Sequence, residues 1–521
     1  MAEKNNNMNI PKEKFSFVQE NERIFDKKLE DKPIGYFRDA LIRFRKSKAS
    51  VVAFFIIVII VLYALIVPLV SPYEIDFMCN MYQRKPARVT WMRDSIGIMD
   101  GGVNREVTEA QMIRLVSIGV GAANYDSTGA TVAEGLEEYC QPVIKIRDVT
   151  QSLDQKKQPI NQYDIRVDTY LEVGFLYVDI EQSALQPILD WQEQTGLRVL
   201  YPLVENNEYN PDYTDANNWY KAVKVGRPVN ANGKQMAYSE DMVLEDNYKR
   251  DAEGNLVYWM PVGGGNNETH QWKVRVLYYN YYQYLYGTEP NYIMGTESQG
   301  YDMALRIADG IQLSLIISLG VCIINFILGA LYGAVEGYYG GWVDLVLERI
   351  SDILSGVPFI VVATLFQLHL AQKVGPVVCL LFAYVVTGWI GTAYRVRTQF
   401  YRFKNQEYVM AARTLGARDR RIIWKHIFPN TLGTIITSSA LAIPSTIMSE
   451  SMLSFLGIVN LGGAEGTSLG TLLSDAQDTW INHPHLMLYP AIVISLLMIS
   501  FNLFGNGLRD AFNPALRGTE D

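Results

Sequence analysis

The sequence predicts an all-α membrane protein of six spanning helices, with an α+β domain inserted between the first and the second. Three observations predict it. Apolar stretches of about 20 residues recur, the length that crosses a bilayer as a helix. A polar stretch of roughly 200 residues separates the first of them from the rest. Lysine and arginine cluster at two places that agree on one orientation. At 521 residues the chain is also too long for one ordinary domain.

The elements follow in order. Residues 1–49 form a polar tail of mixed charge, ending in Arg43, Arg45, Lys46 and Lys48. The first span is 50–72. Its segment 51–70 carries no charge. A signal peptide would have a short basic region before it and a small-residue cleavage site after it. Here about 50 polar residues precede it, so it reads as a retained anchor that stops at Ser71-Pro72. The inserted domain is 73–300. Apolar spans return at 311–335, 350–372, 375–394, 431–457 and 486–506, within a core of 301–521.

The basic run before the first span should be cytoplasmic. With six spans, the loop between the fourth and fifth is cytoplasmic too. It holds Arg395, Arg397, Arg402, Lys404, Arg413, Arg418, Arg420, Arg421 and Lys425 against Glu407 and Asp419. Both termini are then inside and the inserted region outside. The net charge is −9, and 79–290 alone holds 20 Lys+Arg against 29 Asp+Glu. The rest of the chain nearly cancels, so no nucleic-acid partner is implied.

The inserted region has soluble-domain features. Residues 163–168 and 272–277 alternate like strands. Residues 182–196 read as a short amphipathic helix ended by Gly196. Asn232-Gly233 and Glu253-Gly254-Asn255 read as turns, and Gly263–Asn267 as a loop. The tyrosines at 278, 279, 281, 282, 284 and 286 either offer a partner surface or pack in the domain's own core. Cys79 and Cys140 either pair as a disulfide or stay free. Cys322 and Cys379, in apolar stretches, read as buried thiols.

Residues 407–430 carry the functional signal. They form a helix-forming run with Gly416 in its middle and Pro429 near its end. Ala412 and Gly416 are four apart and share a face, flanked by Ala411. Small residues let a partner approach the backbone closely. The plainer alternative is an ordinary interfacial helix. The segment resembles the EAA loop of ABC-importer permeases, reading Met410-Ala411-Ala412, Arg413, Gly416 and Ile427-Phe428-Pro429-Asn430, with Met410 where that pattern has Glu. The resemblance implies that this helix docks on an ATPase subunit.

Other segments are similar to the dipeptide, oligopeptide and nickel branch of that family. They are Pro68–Tyr73, Gly295–Asp302 (with Tyr301 replacing an Arg), Gly337–Asp344, Glu450–Gly457, Gly505–Asp510 and Asn513-Pro514. The resemblance covers about 32–75 and 293–518 and implies a type I importer permease fold. It also implies separate ABC ATPase subunits, a second homologous permease, an extracytoplasmic substrate-binding protein and a peptide substrate. Nickel or another small solute is the alternative cargo. No GxxxxGK[ST] loop occurs, so ATP hydrolysis is expected elsewhere and no cofactor or metal is expected here.

Glu450, Ser451 and Ser454 are the candidate translocation-path residues, because an ionisable group inside a membrane is a functional candidate. Glu450 either lines the path or makes a structural contact at a helix end. Asn325 and Asn502 read as interhelical hydrogen-bond glue. His483-Pro484-His485 reads as a surface loop rather than a metal site. A membrane receptor would explain the outer domain but not the EAA-like helix. A secondary transporter would favour more spans and internal repeats. The topology has a direct test with a membrane-impermeant thiol reagent on intact cells. Single cysteines at Ser152 and Asn206 should label, and one at Lys404 should not; the reverse pattern would invert the orientation.

Overall fold

Among the described residues of the computed structural model, five helices are long and apolar enough to cross a membrane, and a bent pair makes six when it is counted as one span. The structure describes residues 36–123, 129–131, 141–153, 159–206, 214–224, 242–262, 270–462 and 466–512. The first span is Lys48–Val70, the second Met303–Tyr339, the fourth Pro376–Phe403, the fifth Asp419–Phe455 and the sixth Pro484–Phe512. The third is not the single helix that the sequence suggests over 350–372. Gly341–Ser355 and Phe359–Val374 meet at 71°. The break falls at Gly356-Val357-Pro358, where the proline also pushes Val357 out of the helical region. The second span has 37 residues, about 55 Å of helix, so it projects beyond the hydrocarbon.

Burial follows the logic of a membrane protein. On the first span Ala53, Ile60 and Ala64 are buried, while Phe54, Phe55, Ile59, Leu62 and Leu65 are exposed toward the lipid. Ile60 and Ala64 pack with Ile307 and Ile311 of the second span, Ile447 of the fifth, Leu469 and Leu472 of a short helix Leu469–Ala476, and Leu497 of the sixth. The second and fourth spans lie close together. A Cβ on Gly333 would run into the Ala393 carbonyl oxygen, and on the same face one on Gly329 or Gly337 would stand 2.6 Å from Thr392 or Phe400. Such a small-residue stripe lets backbones approach where apolar burial alone gives little preference between helices and lipid. Of the two asparagines expected to act as glue, Asn325 is buried with its Oδ1 unpartnered, and Asn502 is exposed.

The inserted region is α+β. Strand Pro159–Asp168 lies between Gly102–Thr108 and Val143–Leu153 in one antiparallel sheet. Strand Gln271–Leu277 pairs with Phe175–Glu181 on one side and with Leu200–Tyr201 and Trp259–Pro261 on the other. Strand Met242–Asp246 lies between Gly129–Thr131 and Tyr220–Lys224. Helix Glu109–Ala123 buries Met112, Ile113, Val116 and Val120 in the core that the first sheet covers. Helix Leu185–Thr195 ends at Gly196 in the left-handed conformation, and Gly254 turns the chain between paired Arg250 and Leu256. Asn232-Gly233, Gly263–Asn267 and Cys140 lie outside the described residues. Cys79 is a free, buried thiol 3.1 Å from the Tyr278 hydroxyl.

The tyrosine cluster belongs to the core, not to an open surface. Of the six, only Tyr286 is exposed; Tyr279 and Tyr282 are buried and the others half-buried. Tyr282 packs with Tyr73, Tyr82, Tyr170 and Tyr292 where the inserted region meets the membrane. Here the chain leaving the first span pairs with the chain entering the second. Arg88 and Tyr292 exchange two backbone hydrogen bonds of 2.9 Å, and Cys79 N–H donates to Gly300 at 3.1 Å. The Arg88 guanidinium holds Asp168 at 2.9 and 2.8 Å and the Tyr279 hydroxyl at 2.9 Å, all buried. Tyr63 of the first span donates to the Ala304 carbonyl at 3.0 Å.

This junction titrates. Burial lifts the Glu297 carboxyl from its ordinary 4.5 to about 7, although Arg306 lies 4.0 Å away. Burial also lifts Asp302, the N-cap of the second span, from 3.8 to about 6. Both groups hold a proton more tightly folded than unfolded, so unfolding releases protons and stability falls as pH rises. The fall should run from roughly pH 4 to pH 7 and then level off. Melting curves of the solubilised protein should show it, and Glu297→Gln should flatten much of the slope.

Candidate functional site

The segment 407–430 is a broken helix, and the break changes what Gly416 does. Helix Glu407–Thr414 ends in a left-handed turn at Gly416, with φ +83°. Ala417 N–H donates to the Ala412 carbonyl and Gly416 N–H to the Arg413 carbonyl, both at 3.0 Å. That pair of bonds is a Schellman cap. Gly416 therefore does not share a helix face with Ala412. An added Cβ at Gly416 would meet nothing within 4 Å, so the demand is on backbone angle rather than space. After the cap come Asp419–Arg421 and a π-helical turn, Ile422–Ile427. Its wider turn gives room for the ring of Pro429, which opens the next helix, Phe428–Ala440.

One side of this loop is fastened down. Val409, Ile422, Ile423 and Ile427 are buried with Ala330, Ala334, Val396 and Phe400 from the second and fourth spans. The Tyr338 hydroxyl donates to Asp419 at 2.5 Å, and Arg413 reaches the same hydroxyl at 3.3 Å. The other side is bare. Leu415 is 89% exposed and Met410 52% exposed, and Ala411, Gly416 and Pro429 are exposed with them. Ala412 is half-buried. An apolar side chain as bare as Leu415, on a loop otherwise rich in arginine, marks a contact surface. The sequence reading missed Leu415, although it stands directly before Gly416.

Above the loop, Arg397 gathers three acids. It holds Asp344 through Nε at 2.6 Å and Nη2 at 2.9 Å, Glu348 at 2.9 Å and Glu336 at 3.6 Å. Tyr401 adds a 2.7 Å hydrogen bond to Asp344, and Lys404 caps the second span by donating to the Gly337 carbonyl at 3.0 Å. The Gly337–Asp344 motif is therefore a joint between the second span, the helix after it and the fourth span.

Glu450, Ser451 and Ser454 are all buried. Glu450 accepts hydrogen bonds from Ser314 of the second span at 3.0 Å, Ser454 at 3.2 Å and Ser451 at 3.5 Å. Gly470, on the helix Leu469–Ala476, presses against Ser451 and Ser454. The three residues thus tie the fifth span to two neighbours. The opposite face of the same span carries Thr434, Ser438, Ser445, Met448, Ser449 and Met452, all exposed or half-exposed. Spacings of three, four and seven residues place them on one stripe. Hydroxyls on an open membrane face fit a protein contact or a water-filled path better than lipid.

The family of binding-protein-dependent transport system inner membrane components matches residues 325–518. The N-terminal membrane domain of oligopeptide transport permease C matches residues 35–86. The dipeptide transport system permease protein DppC of Bacillus subtilis is 40% identical over 225 residues, 43% of this chain and 68% of the relative. The oligopeptide transport system permease protein OppC of the same organism is 37% identical over 224 residues, 43% of this chain and 72% of the relative. Among solved structures, an inward-facing MetNI methionine ABC transporter aligns with TM-score 0.34 at 15% identity, over 40% of this chain and 98% of that one. Residues 87–324 fall between the two family matches.

The cap at Gly416 has a measurable consequence. Gly416→Val forces a β-branched residue into the left-handed region, at a local cost of roughly 1–2 kcal/mol. Trypsin should cut faster at Arg418 and Arg420 in the solubilised variant. Its thermal unfolding should fall by no more than a few degrees, because the cost is small and confined to the cap.

Proposed function

The chain belongs to the family of binding-protein-dependent transport system inner membrane components, and from that premise we propose that it is one permease half of a peptide importer. It forms the path with a second, homologous permease. An extracytoplasmic binding protein delivers the peptide, and separate ABC ATPase subunits supply the energy. Relatives named for dipeptide and oligopeptide transport support a peptide cargo. The chain is a membrane-embedded transport subunit and not itself an enzyme.

The observation that carries the docking part is the bare face Met410, Ala411 and Leu415 beside a side that is buried and hydrogen-bonded. A docking helix must be held from behind to pass on a push. Val409 and the three isoleucines hold it against the second and fourth spans, and Asp419 with Arg413 grips Tyr338. Met410 stands where the family pattern has Glu, so this face gains apolar area in place of a charge. Closure of the ATPases would move the loop and the spans behind it together, and the path would open outward.

In this reading the loop and both termini are cytoplasmic, and the acidic inserted region lies outside. Its charge favours a binding protein with a basic docking face. Glu450 with Ser451 and Ser454 keeps the wall of the path in place, and the Thr434–Met452 stripe faces the path or the partner permease.

Leu415→Asp tests the docking face. A charge placed at the centre of an apolar contact should weaken co-purification with the ATPase by about thirtyfold, the scale of an interface hot spot. Membrane insertion and melting temperature should be unchanged, because Leu415 is nearly fully exposed. Wild-type recovery of the ATPase with this variant would sink the assignment.

A further inference from the structure

A cavity of about 420 Å³ lies at the loop end of the hydroxyl stripe, between the fourth, fifth and sixth spans. Thr434 and Ser438 of the stripe, with Leu441, form one wall, and Arg395, Arg402 and Arg509 form its charged lining. Arg395 and Arg402 are seven apart on one helix and so share a face. None of the three has a carboxylate within salt-bridge distance among the described residues. Arg395 makes one long bond of 3.4 Å, to Thr392, and Arg402 lies 5.6 Å from the Phe403 ring. Gln399, also in the lining, has a buried Oε1 with no partner. Arg397, two residues from Arg395, shows the contrast: it faces the other way and holds three acids.

Three guanidinium groups line one cavity, each open to solvent and none paired with an acid among the described residues, and together they set up a positive potential that favours an anion. Arginine's planar fork suits a carboxylate, which it binds through paired hydrogen bonds. The cavity is far smaller than an oligopeptide but large enough for a terminal residue and its carboxylate. We propose that this cavity is an anion-binding vestibule at the cytoplasmic exit of the path, and that it takes the free C-terminal carboxylate of the transported peptide. The proposal rests on the peptide-importer reading and adds a chemical requirement to it: a free acid at the peptide's C-terminus. The hydroxyl stripe leads a peptide backbone toward the vestibule, and the arginines draw its charged end forward.

The test uses the complete transporter, with its ATPases and binding protein, in liposomes. Uptake of a peptide with a free C-terminus is compared with uptake of its C-terminal amide. Affinity of the binding protein for each is measured separately, so that its own preference is divided out. The wild type should favour the free acid by about tenfold, the scale of charge-assisted bonds lost. Arg395→Gln and Arg509→Gln should bring the two rates close together, and Arg395→Lys should restore part of the preference. A peptide with a photoreactive residue beside its free C-terminus should crosslink within Thr434–Leu441 or at Phe512, and its amide should not.

An unchanged acid-to-amide ratio in the Gln variants overturns the vestibule while leaving peptide import intact. A wild-type preference that vanishes when anionic lipid is replaced by zwitterionic lipid also overturns it, and assigns the arginines to a lipid headgroup. No ATP-dependent uptake of either peptide by the wild type would reject the importer reading itself.

Discussion

Arg397 is the constraint on which the basic end of the molecule depends. A guanidinium near the membrane boundary is costly unless it is paired, and this one is paired with Asp344 by two parallel bonds and with Glu348 and Glu336 besides. The three acids come from the second span and the helix that follows it, and the arginine comes from the fourth span. Those elements are thereby fixed in angle as well as in distance. The glycine stripe at 329, 333 and 337 sets the same two spans at close range through the membrane. The loop 407–430 leaves from the end of this joint and folds back onto it. Without the joint, neither the buried side of the loop nor its bare side would have a defined direction.

The opposite end of the bundle is built on a different principle. There the two ends of the inserted region, the chain leaving the first span and the chain entering the second, pair with each other. The insertion is thus hung from a closed stem, and its length does not disturb the spans. The stem is filled with tyrosine rings rather than with aliphatic residues. Tyrosine suits that level, because its ring tolerates an apolar setting while its hydroxyl finds a partner. The buried Arg88–Asp168 pair locks the stem to the first sheet. Removing either partner would strand a buried charge, which is far costlier than losing both.

Much of this was legible in the sequence. The apolar runs announced the spans, because they are a signal of composition over long windows. The strands at 163–168 and 272–277 showed through because one face of each is polar. Helix Glu109–Ala123 did not, because its apolar residues run almost unbroken and period 3.6 cannot be told from period 2 there. The bend at Pro358 was hidden inside an apolar window that averages over it. Gly416 stood out, but for the wrong reason: the sequence suggested a small side chain, and the structure requires a left-handed backbone. Glu450 stood out as an intramembrane charge, yet sequence cannot say which way a side chain points. It points at Ser314, and the residues left open are the hydroxyls on the other face.

These contacts also limit how the molecule can move. The second span is bound to the fourth by glycines and Arg397, and to the fifth by the Ser314–Glu450 bond. The loop is buried against the second and fourth spans together. A push on Leu415 therefore cannot be absorbed by sliding one of these helices past another without breaking a buried polar contact. The cheaper response is for the second, fourth and fifth spans to turn as one body, as packed cores switch between arrangements rather than deform. The strain must then be taken up elsewhere. The bent third crossing is the natural place, since its two helices already meet at an angle and the joint at Gly356-Val357-Pro358 lacks the hydrogen bonds of a continuous helix.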